Sequence, residues 1–361
     1  MRNALIMAGG SGVRLWPMSR AARPKQLIPF IHGRSLLQIA MDRLDGLLPP
    51  EQIYICAGET HRDAIFRTTA NTDPQRYYGE PVGRDTLNAV GLVAAERLVH
   101  DPDANIAVFT SDHVIEPVDR FQQIVETGFR VTEAHPEALV TFGIEPTHAA
   151  TGYGYLELGE PIDDGGAYRV DQFREKPDAP TAAKYLAAGP GRYLWNSGMF
   201  VWRAKTLMDC IRRFAPTNAD RLDHLAGVYQ TDRRDAEMRR VYPELDKISV
   251  DYAVMEPASR DPDFKVVAIP MPLTWLDVGS WPSFAKTCEQ DEHGNAKAAP
   301  RALMVDCADT LIASDVDDHL IAAVGCRDLV IVHTADATLI CPADQAEKIK
   351  QLHEQVEEGL R

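Results

Sequence analysis

Short apolar runs alternate with segments of helical spacing over the first 286 positions of the chain. Runs with the length and character of buried strands lie at 3–7, 52–56, 106–110 and 138–143. Residues 88–100 instead repeat apolar side chains with the period of a helix. Such alternation predicts an α/β fold with a mainly parallel, Rossmann-like sheet and helices on both of its faces.

The pattern changes near residue 286. Residues 287–300 are polar, include Gly294 and have no clear period, so they are predicted to form a linker. Short strand-like runs separated by Asp and Gly follow, at 310–313, 320–324, 329–332 and 338–340. These runs predict a small β unit after the linker.

The last segment, residues 343–360, has the spacing of an amphipathic helix. Its apolar face would carry Ala346, Ile349, Leu352 and Val356. We therefore expect a large domain at 1–286, a linker at 287–300 and a small C-terminal β domain at 301–361 that ends in this helix. A length of 361 residues accommodates one large domain and one smaller domain.

The composition, 45% hydrophobic and 25% charged, is that of an ordinary globular protein. The net charge of −15 argues against a general nucleic-acid surface, although a local cationic pocket remains possible. No apolar stretch is long enough to span a bilayer, and the N-terminus has no signal-peptide pattern. The six cysteines form no CxxC pair, so zinc and disulfide frameworks are not expected and a cytoplasmic location is predicted.

A glycine-rich loop follows the first strand and carries the clearest chemistry of the chain. Gly9, Gly10 and Gly12 allow a tight turn whose amides can cradle an anion. Arg14 then offers a planar fork of donors for phosphate oxygens, and Lys25 offers a point charge. A strand, a glycine loop and two cations predict a triphosphate site.

Two other glycine-loop classes fit this stretch poorly. The loop is not GxxxxGK[ST], so a P-loop is not expected. It is not a clean GxGxxG either, and a dinucleotide fold would want an acidic residue about 20 positions further on. Residues 28–33 are apolar with one His, so a dehydrogenase is disfavoured.

The string GGSGVRLWPMSRAARPKQL at 9–27 resembles the signature of the sugar-1-phosphate nucleotidylyltransferases, and its WPMSR and PKQ elements are closest to the mannose-1-phosphate guanylyltransferase family. Five further segments follow in the order of that family: EPVGRDT, TSDH, FREKP, WNSGMF and WLDVGSW. The resemblance covers essentially the whole chain and implies that 1–286 is the catalytic domain. Bifunctional relatives carry an additional cupin-type isomerase domain, for which this chain ends too early, so a monofunctional form is expected.

The resemblance implies transfer of GMP from GTP to α-D-mannose 1-phosphate, giving GDP-mannose and pyrophosphate, in a protein expected to be a homodimer. The catalytic residues would be Arg14, Lys25, Asp112 and Asp277. The two aspartates match the positions that hold Mg²⁺, which prefers carboxylates, phosphate oxygens and water. His113 is expected to stand behind them, because neutral imidazole suits softer metals.

The nucleotide side is implied to contain Gly9, Gly10, Gly12, Arg14, Lys25, Glu80, Gly83, Asp85, Thr86 and Ser111. The loop reads GRDTLNA where the family commonly has GRNTAPA, so Asp85 replaces Asn and Asn88 replaces Pro. An ionised Asp only accepts hydrogen bonds, whereas Asn also donates them, so the choice of base stays open. The structural alternative is a turn before a helix with Thr86 as its N-cap.

The sugar-phosphate side is implied to contain Gly154, Glu175, Lys176 and Asn196. Glu175 can accept from two sugar hydroxyls, and Asn196 can both donate and accept. Lys176 would neutralise the 1-phosphate, and Gly154 would let the backbone approach the sugar ring. The structural alternatives are an exposed charged turn at EKP and a hairpin at WNSG.

Two functional alternatives to GMP transfer remain open. The chain could use another sugar 1-phosphate or another nucleoside triphosphate, since such enzymes share the reaction machinery. It could also be a non-catalytic regulatory paralogue that binds nucleotide sugar. Retention of the five side chains that carry the chemistry argues against this second alternative: Arg14, Lys25, Asp112, Glu175 and Asp277.

Overall fold

A computed structural model describes the chain over residues 1–10, 12–29, 31, 33–69, 72–162 and 165–361. The strands in these residues are β1 (Arg2–Met7), β2 (Ile53–Gly58), β3 (Tyr77–Glu80), β4 (Asn105–Thr110), β5 (His113–Glu116), β6 (Ala138–Ile144), β7 (Tyr155–Pro161), β8 (Tyr168–Arg174), β9 (Tyr193–Arg203), β10 (Lys265–Pro270), β11 (Thr274–Asp277), β12 (Ala296–Ala298), β13 (Ala302–Val305), β14 (Leu311–Ser314), β15 (Ile321–Val324), β16 (Leu329–His333) and β17 (Thr338–Pro342). The α-helices are α1 (Leu36–Asp42), α2 (Arg62–Thr68), α3 (Thr86–His100), α4 (Val118–Ala134), α5 (Ala179–Ala188), α6 (Ala204–Phe214), α7 (Pro216–Val228), α8 (Arg234–Val241), α9 (Glu256–Ala258), α10 (Trp281–Ala285) and α11 (Ile349–Gln355).

A nine-stranded sheet, counted over the described residues, has the order β3-β2-β1-β4-β9-β6-β10-β8-β7. Strands β3, β2, β1 and β4 are parallel, and so are β6 and β10. The long strand β9 lies antiparallel between β4 and β6, and β8 is antiparallel to β10. The remaining strands of this sheet share one direction, so the predicted Rossmann-like α/β fold is confirmed.

Two apolar clusters cover the two faces of this sheet. On one face α3, α6 and α7 pack through residues such as Leu92, Ile211 and Leu222. On the other face α1 and α4 pack through residues such as Leu37 and Phe129. Helix α3 is buried from Leu87 to Glu96 because it lies between the sheet and other helices. This position explains why the helix has apolar residues on all of its sides.

The C-terminal unit consists of short, mainly parallel ladders. One sheet has the order β12-β14-β16-β17, and a second pairs β13 with β15. Asp306, Asp309 and Asp328 have φ values of 53°, 48° and 52°, in the left-handed region that Asp tolerates at turns. The predicted small β unit is therefore confirmed. Within the range predicted to be a linker, β12 already pairs with β14.

A third apolar cluster joins the C-terminal unit to the segment after the glycine loop. Leu15 and Trp16 pack there with Trp281, Val330 and Ile349. The indole Nε1 of Trp281 also donates to the Trp16 carbonyl at 3.0 Å. The C-terminal unit thus lies directly against the loop that was predicted to bind phosphate.

The helix predicted over 343–360 is wrong in its length. Residues Ala343–Lys348 form a 3-10 helix, α11 then ends at Gln355, and Glu358–Leu360 is a further 3-10 turn. Val356 is extended, with ψ 144°, because the chain turns back and gives its Leu360 carbonyl to the Trp16 indole. No described helix is both long and apolar enough to cross a membrane.

Candidate active site

The glycine loop follows the carboxyl end of β1, and its last glycine makes room for Lys25. Gly10 and Gly12 have φ values of 97° and 61°, which L side chains rarely adopt. A Cβ on Gly12 would lie 2.6 Å from the Lys25 Cβ. Ser11, in the middle of the loop, lies outside the described residues.

Lys25 is buried and forms an ion pair with Asp112, which stands after β4. Its Nζ lies 2.6 Å from Asp112 Oδ2 and 3.4 Å from the Val278 carbonyl oxygen. Burial disfavours the charged carboxylate, but Lys25 and His113 together hold the pKa of Asp112 below its ordinary value. A charged lysine and a charged aspartate therefore face each other beside the glycine loop.

Asp277 is brought next to Asp112 by a pair of short antiparallel strands. The register of β5 and β11 sets Asp277 opposite His113, and the Val278 amide donates to the Asp112 carbonyl at 3.1 Å. Burial lowers the pKa of His113, although Asp112 and Asp277 oppose this shift. The Nδ1 atom of His113 accepts from the Trp275 indole at 3.1 Å, which fixes the imidazole ring behind the two aspartates.

The pair Asp112 and Asp277 fits a hard divalent cation. Carboxylate oxygens are the protein ligands that Mg²⁺ prefers, and it completes its shell with water and phosphate oxygens. The described residues contain no group of three or more His, Cys, Asp or Glu side chains placed to hold a metal ion. The remaining ligands would thus have to come from a bound phosphate and water.

Two adjoining cavities meet at the glycine loop. The first, of about 470 Å³, is lined by Gly9, Gly10, Glu80 and Gly83, and we call it the Glu80 cavity. The second, of about 450 Å³, is called the Lys25 cavity. Its lining includes Gly9, Gly10, Gly12, Arg14, Lys25 and Asp112. Residues predicted for the nucleotide side thus line one continuous cleft at the carboxyl ends of β1, β2 and β3, where ligands of open α/β sheets bind.

Three predicted nucleotide-side residues, Asp85, Thr86 and Ser111, are outside the described lining of these two cavities and have structural contacts instead. Asp85 has a φ of 66°, and its Oδ1 accepts from the Thr86 amide at 2.8 Å. Asp85, not Thr86, is therefore the N-cap of α3, and the prediction of a Thr86 cap is wrong. Thr86 Oγ1 instead accepts from the Val250 amide at 2.9 Å, and the buried Ser111 donates its amide to the Met7 carbonyl.

Glu80 and Asn88 are both buried and hydrogen-bonded to other parts of the chain. The Tyr242 hydroxyl donates to Glu80 Oε1 at 2.7 Å, and burial raises the pKa of this glutamate. Asn88 Nδ2 donates to the Arg84 and Asp246 carbonyls at 2.7 and 2.8 Å. The Asn at position 88, where the family commonly has Pro, thus adds hydrogen bonds that hold the GRDTLNA loop in place.

The residues predicted for the sugar side come together at the end of β8. A Cβ on Gly154 would lie 2.5 Å from Glu175 Oε2 and 3.3 Å from the Asn196 Cβ. Lys176, with φ 44°, places its Nζ 3.2 Å from Glu175 Oε1. Glu175 is 8% exposed, so the alternative of an exposed charged turn is wrong for this side chain.

Asn196 lies inside the continuous strand β9, so the alternative of a hairpin at WNSG is wrong. Its Oδ1 accepts from the Thr141 hydroxyl at 2.7 Å, and its Nδ2 donates to Asp251 Oδ1 at 2.8 Å. Asp251 begins a π-helical turn, Asp251–Met255, that sequence analysis missed. Asp251 is not part of any sequence motif. Only the packing of this turn against β9, where Asn196 lies, shows that Asp251 belongs to the site.

Carboxylates crowd the sugar side. Burial first, and then the charge of Asp251, raise the pKa of Glu175 to about 7, with Lys176 opposing the shift. Burial likewise raises the pKa of Asp251. Glu175 Oε2 is buried without a hydrogen-bond partner among the described residues. An unpaired buried acceptor is costly, so this atom is suited to a ligand hydroxyl.

An aromatic cluster connects the sugar side with Asp277. The Tyr153 ring lies 5.1 Å from Trp195 and 5.5 Å from Trp275, measured between ring centroids. Tyr153, Trp195, Trp275 and Asp277 line a third cavity of about 480 Å³, which we call the Trp275 cavity. No role for Tyr153 follows from the sequence, although this residue directly precedes Gly154.

Two family models match the chain in succession. The model described as "Nucleotidyl transferase" matches residues 3–294, and the one described as "MannoseP isomerase/GMP-like beta-helix domain" matches residues 300–356. The first covers most of the chain, including the glycine loop and both aspartates. The chain therefore belongs to the nucleotidyl transferase family, and the prediction of a nucleotidyltransferase enzyme is confirmed.

Individual relatives extend this match over the full length. The xanthan biosynthesis protein XanB of Xanthomonas campestris is 36% identical over 99% of this chain and 73% of its own length. A mannose-1-phosphate guanylyltransferase of Klebsiella pneumoniae is 35% identical over 99% of this chain and 74% of its own length. A Thermus thermophilus crystal structure described as a mannose-1-phosphate geranyltransferase superposes with a TM-score of 0.85 at 30% identity, covering 98% of both chains. The resemblance to the mannose-1-phosphate guanylyltransferases is confirmed.

Proposed function

We propose that this chain transfers GMP from GTP to α-D-mannose 1-phosphate and releases pyrophosphate. The observation that carries the proposal is the ion pair between the buried Lys25 and the half-buried Asp112, 2.6 Å apart, in a cleft that the glycine loop lines. This cleft offers backbone amides and cations to phosphates on one side. Glu175 offers an unpaired acceptor to hydroxyls on the other. The relatives named guanylyltransferases support the choice of both substrates.

In this reaction an oxygen of the sugar phosphate attacks the α-phosphorus of GTP, and the bond to pyrophosphate breaks. The attacking phosphate is already anionic, so no side-chain nucleophile is required. The protein has to bring two anions together and disperse charge, which is a matter of positioning and electrostatics. Arg14 would hold the β- and γ-phosphates, and Lys25 would neutralise charge close to the reacting phosphorus.

The sugar phosphate would be held by the cluster at the end of β8. Glu175 would accept from two sugar hydroxyls, and Lys176 would bind the 1-phosphate. The polar atoms of Asn196 are bonded to Thr141 and Asp251, which supports a role in positioning that aspartate beside the sugar. The Gly154 backbone leaves the space that Glu175 Oε2 needs.

We further propose that the divalent cation is Mg²⁺, held by Asp112 and Asp277. When bound there it would supply positive charge shared between the phosphates of the two substrates. Lys25 then keeps Asp112 charged and oriented, and the Arg14 guanidinium and the Asp277 carboxylate both lie close to Gly279. A Cβ on Gly279 would lie 3.2 Å from both Arg14 Nη2 and Asp277 Oδ1, so a larger residue there would require these two groups to shift by a few tenths of an ångström.

Pyrophosphate release with Mg²⁺ and mannose 1-phosphate tests the proposal, with GTP, ATP, UTP, CTP and dTTP compared in parallel. Dominant turnover with GTP is the expected result. Turnover with another triphosphate would support the reaction class and contradict the assignment of guanine as the base. No turnover with any of them, followed by none with other sugar 1-phosphates, would favour the regulatory paralogue.

The assembly and arrangement of the chain are part of the same proposal. We propose a homodimer, supported by an exposed face of the C-terminal unit. Leu303 and Val305 on β13 lie beside Ala322 and Val324 on β15, and Val324 is 71% exposed. Val324→Glu should then halve the mass measured by light scattering. We also propose the division of the chain into domains at 1–286 and 301–361 with a linker at 287–300. A cytoplasmic location is proposed as well, and the six free thiols support it.

A further inference from the structure

The signature segment after the glycine loop binds the end of the C-terminal unit. The Trp16 indole donates to the Leu360 carbonyl at 2.8 Å, and the Arg20 guanidinium donates to the same oxygen. The Ala21 amide donates to the Arg361 carbonyl at 3.2 Å. We call residues 343–361 the closing segment, because these contacts hold it against the signature segment beside the open side of the cleft.

The closing segment lines both cavities of the nucleotide cleft. Lys350, His353 and Glu354 line the Lys25 cavity together with Arg14 and Lys25. His353 and Arg361 also line the Glu80 cavity. Ile349 and Ala346 are buried in the apolar cluster beneath, so the backbone that carries these polar side chains is fixed.

One ion pair links the closing segment to a residue predicted to bind phosphate. Arg14 Nη1 lies 2.6 Å from Glu347 Oε1. The Arg14 side chain is 34% exposed and that of Glu347 64% exposed, so solvent screens this pair and it can open at small cost. The same segment thus presents a carboxylate to Arg14 and, from Lys350, a cation to the cavity.

We propose that Lys350 is a binding residue for the β- and γ-phosphates of the nucleotide, and that Glu347 holds Arg14 until those phosphates displace it. This deepens the proposed function and rests on it. The triphosphate and the sugar phosphate together carry more negative charge than Arg14, Lys25 and one divalent cation neutralise, and each of the two side chains already faces a carboxylate. A third cation at the open side of the cavity offsets part of this charge.

Lys350→Ala tests the inference, with Lys348→Ala as its matched control. Both lysines are exposed and lie on the same segment, but Lys348 is outside the described lining of the Lys25 cavity. Lys350→Ala should raise the KM for GTP about tenfold and leave kcat and the KM for mannose 1-phosphate within about twofold. Lys348→Ala should match the wild type, and Glu347→Gln should lower the KM for GTP because Arg14 is no longer held.

Calorimetric titration with inorganic pyrophosphate separates this inference from the proposed function. Pyrophosphate lacks base and sugar, so its binding reports on the phosphate cavity even if GTP proves to be the wrong nucleotide. Weaker pyrophosphate binding in Lys350→Ala than in Lys348→Ala supports the inference, whatever triphosphate the enzyme uses. Equal Kd and equal KM values in these two variants would overturn it.

Discussion

The two substrate sides of the cleft present opposite electrostatics. On the Lys25 side Lys25 and Arg14 each already have a carboxylate, with Lys25 2.6 Å from Asp112 and Arg14 2.6 Å from Glu347. On the Glu175 side the carboxylates crowd one another. There burial and Asp251 raise the pKa of Glu175 to about 7, and Lys176 compensates only in part.

Under the proposed function, the phosphates of the nucleotide and the hydroxyls of the sugar would therefore be recognised by different interactions. A polyanion entering the Lys25 side exchanges one ionic partner for another, so its net gain depends on salt and on the strength of the existing pairs. A sugar entering the Glu175 side satisfies a buried acceptor that has no partner among the described residues. The gain from these hydroxyls is the removal of an unmet hydrogen bond, which salt should change little, whereas the contact of Lys176 with the 1-phosphate is ionic and should weaken with salt.

Among the variants considered, Lys25→Ala should have the largest effect, and this effect falls on the Lys25 side of the cleft. The change removes a buried cation and leaves Asp112 without its ionic partner, so kcat should fall about 100- to 1000-fold. Steady-state kinetics with GTP and mannose 1-phosphate measure the loss. Lys205→Ala, which removes an exposed lysine of α6 paired with Asp209, should keep the wild-type kcat. A kcat within threefold of wild type in Lys25→Ala would contradict the proposed role.

Asp277→Asn tests the group that lies between the two sides. The substitution keeps the shape of the side chain and removes its charge, so kcat should fall about 100-fold and the Mg²⁺ concentration needed for half activity should rise. A titration of activity against Mg²⁺ measures both effects. Asp209→Asn, on the surface of α6, is the control. An unchanged Mg²⁺ dependence in Asp277→Asn would remove Asp277 from the proposed metal site.

The sequence was most informative where chemistry follows directly from a strand. Asp112 and the glycine loop stand at the ends of apolar runs, so their meeting at one edge of the sheet could be predicted from the pattern alone. Glu175 was identified through the FREKP motif, whereas Gly154 was implied only by the wider resemblance. The structure explains their pairing by the 2.5 Å approach of a Cβ at Gly154 to Glu175 Oε2.

The residues that sequence analysis missed depend on contacts between distant segments. Asp251 stands in no motif and reaches the site only because the Asn196 amide bonds to it. The helix predicted up to residue 360 has suitable spacing, but hydrogen bonds from Trp16 and Arg20 to Leu360 override that local preference. The backbone of Asp85 was not predictable for a similar reason, since nothing in the adjacent sequence indicates its φ of 66°.

Gly154→Ala sharpens the comparison from the sugar side. The new Cβ would displace Glu175 Oε2, so the KM for mannose 1-phosphate should rise about tenfold while the KM for GTP stays within about twofold. Gly152→Ala is a matched control, since a Cβ there meets no atom within 4 Å and its φ is not in the left-handed region. Equal KM values for mannose 1-phosphate in the two variants would show that Glu175 does not contact the sugar.

The smallest expected effect is a pH dependence confined to the sugar side. Because the pKa of Glu175 is raised to about 7, its carboxylate loses charge as the pH falls through neutrality, so one oxygen becomes a donor and the group accepts hydroxyl hydrogen bonds less strongly. Between pH 8 and pH 6.5 the ionised fraction falls about fourfold, and kcat/KM for mannose 1-phosphate should fall with it.

The sugar phosphate itself loses a proton near pH 6, so the wild-type profile contains two ionisations. Glu175→Gln keeps the ionisation of the substrate and removes that of the enzyme, so its kcat/KM should be lower at pH 8 and its pH profile flatter. The ratio of wild-type to variant kcat/KM then isolates Glu175. A ratio that stays constant from pH 6.5 to pH 8 would mean that Glu175 keeps one protonation state over this range, and the electrostatic contrast between the two sides would lose its basis.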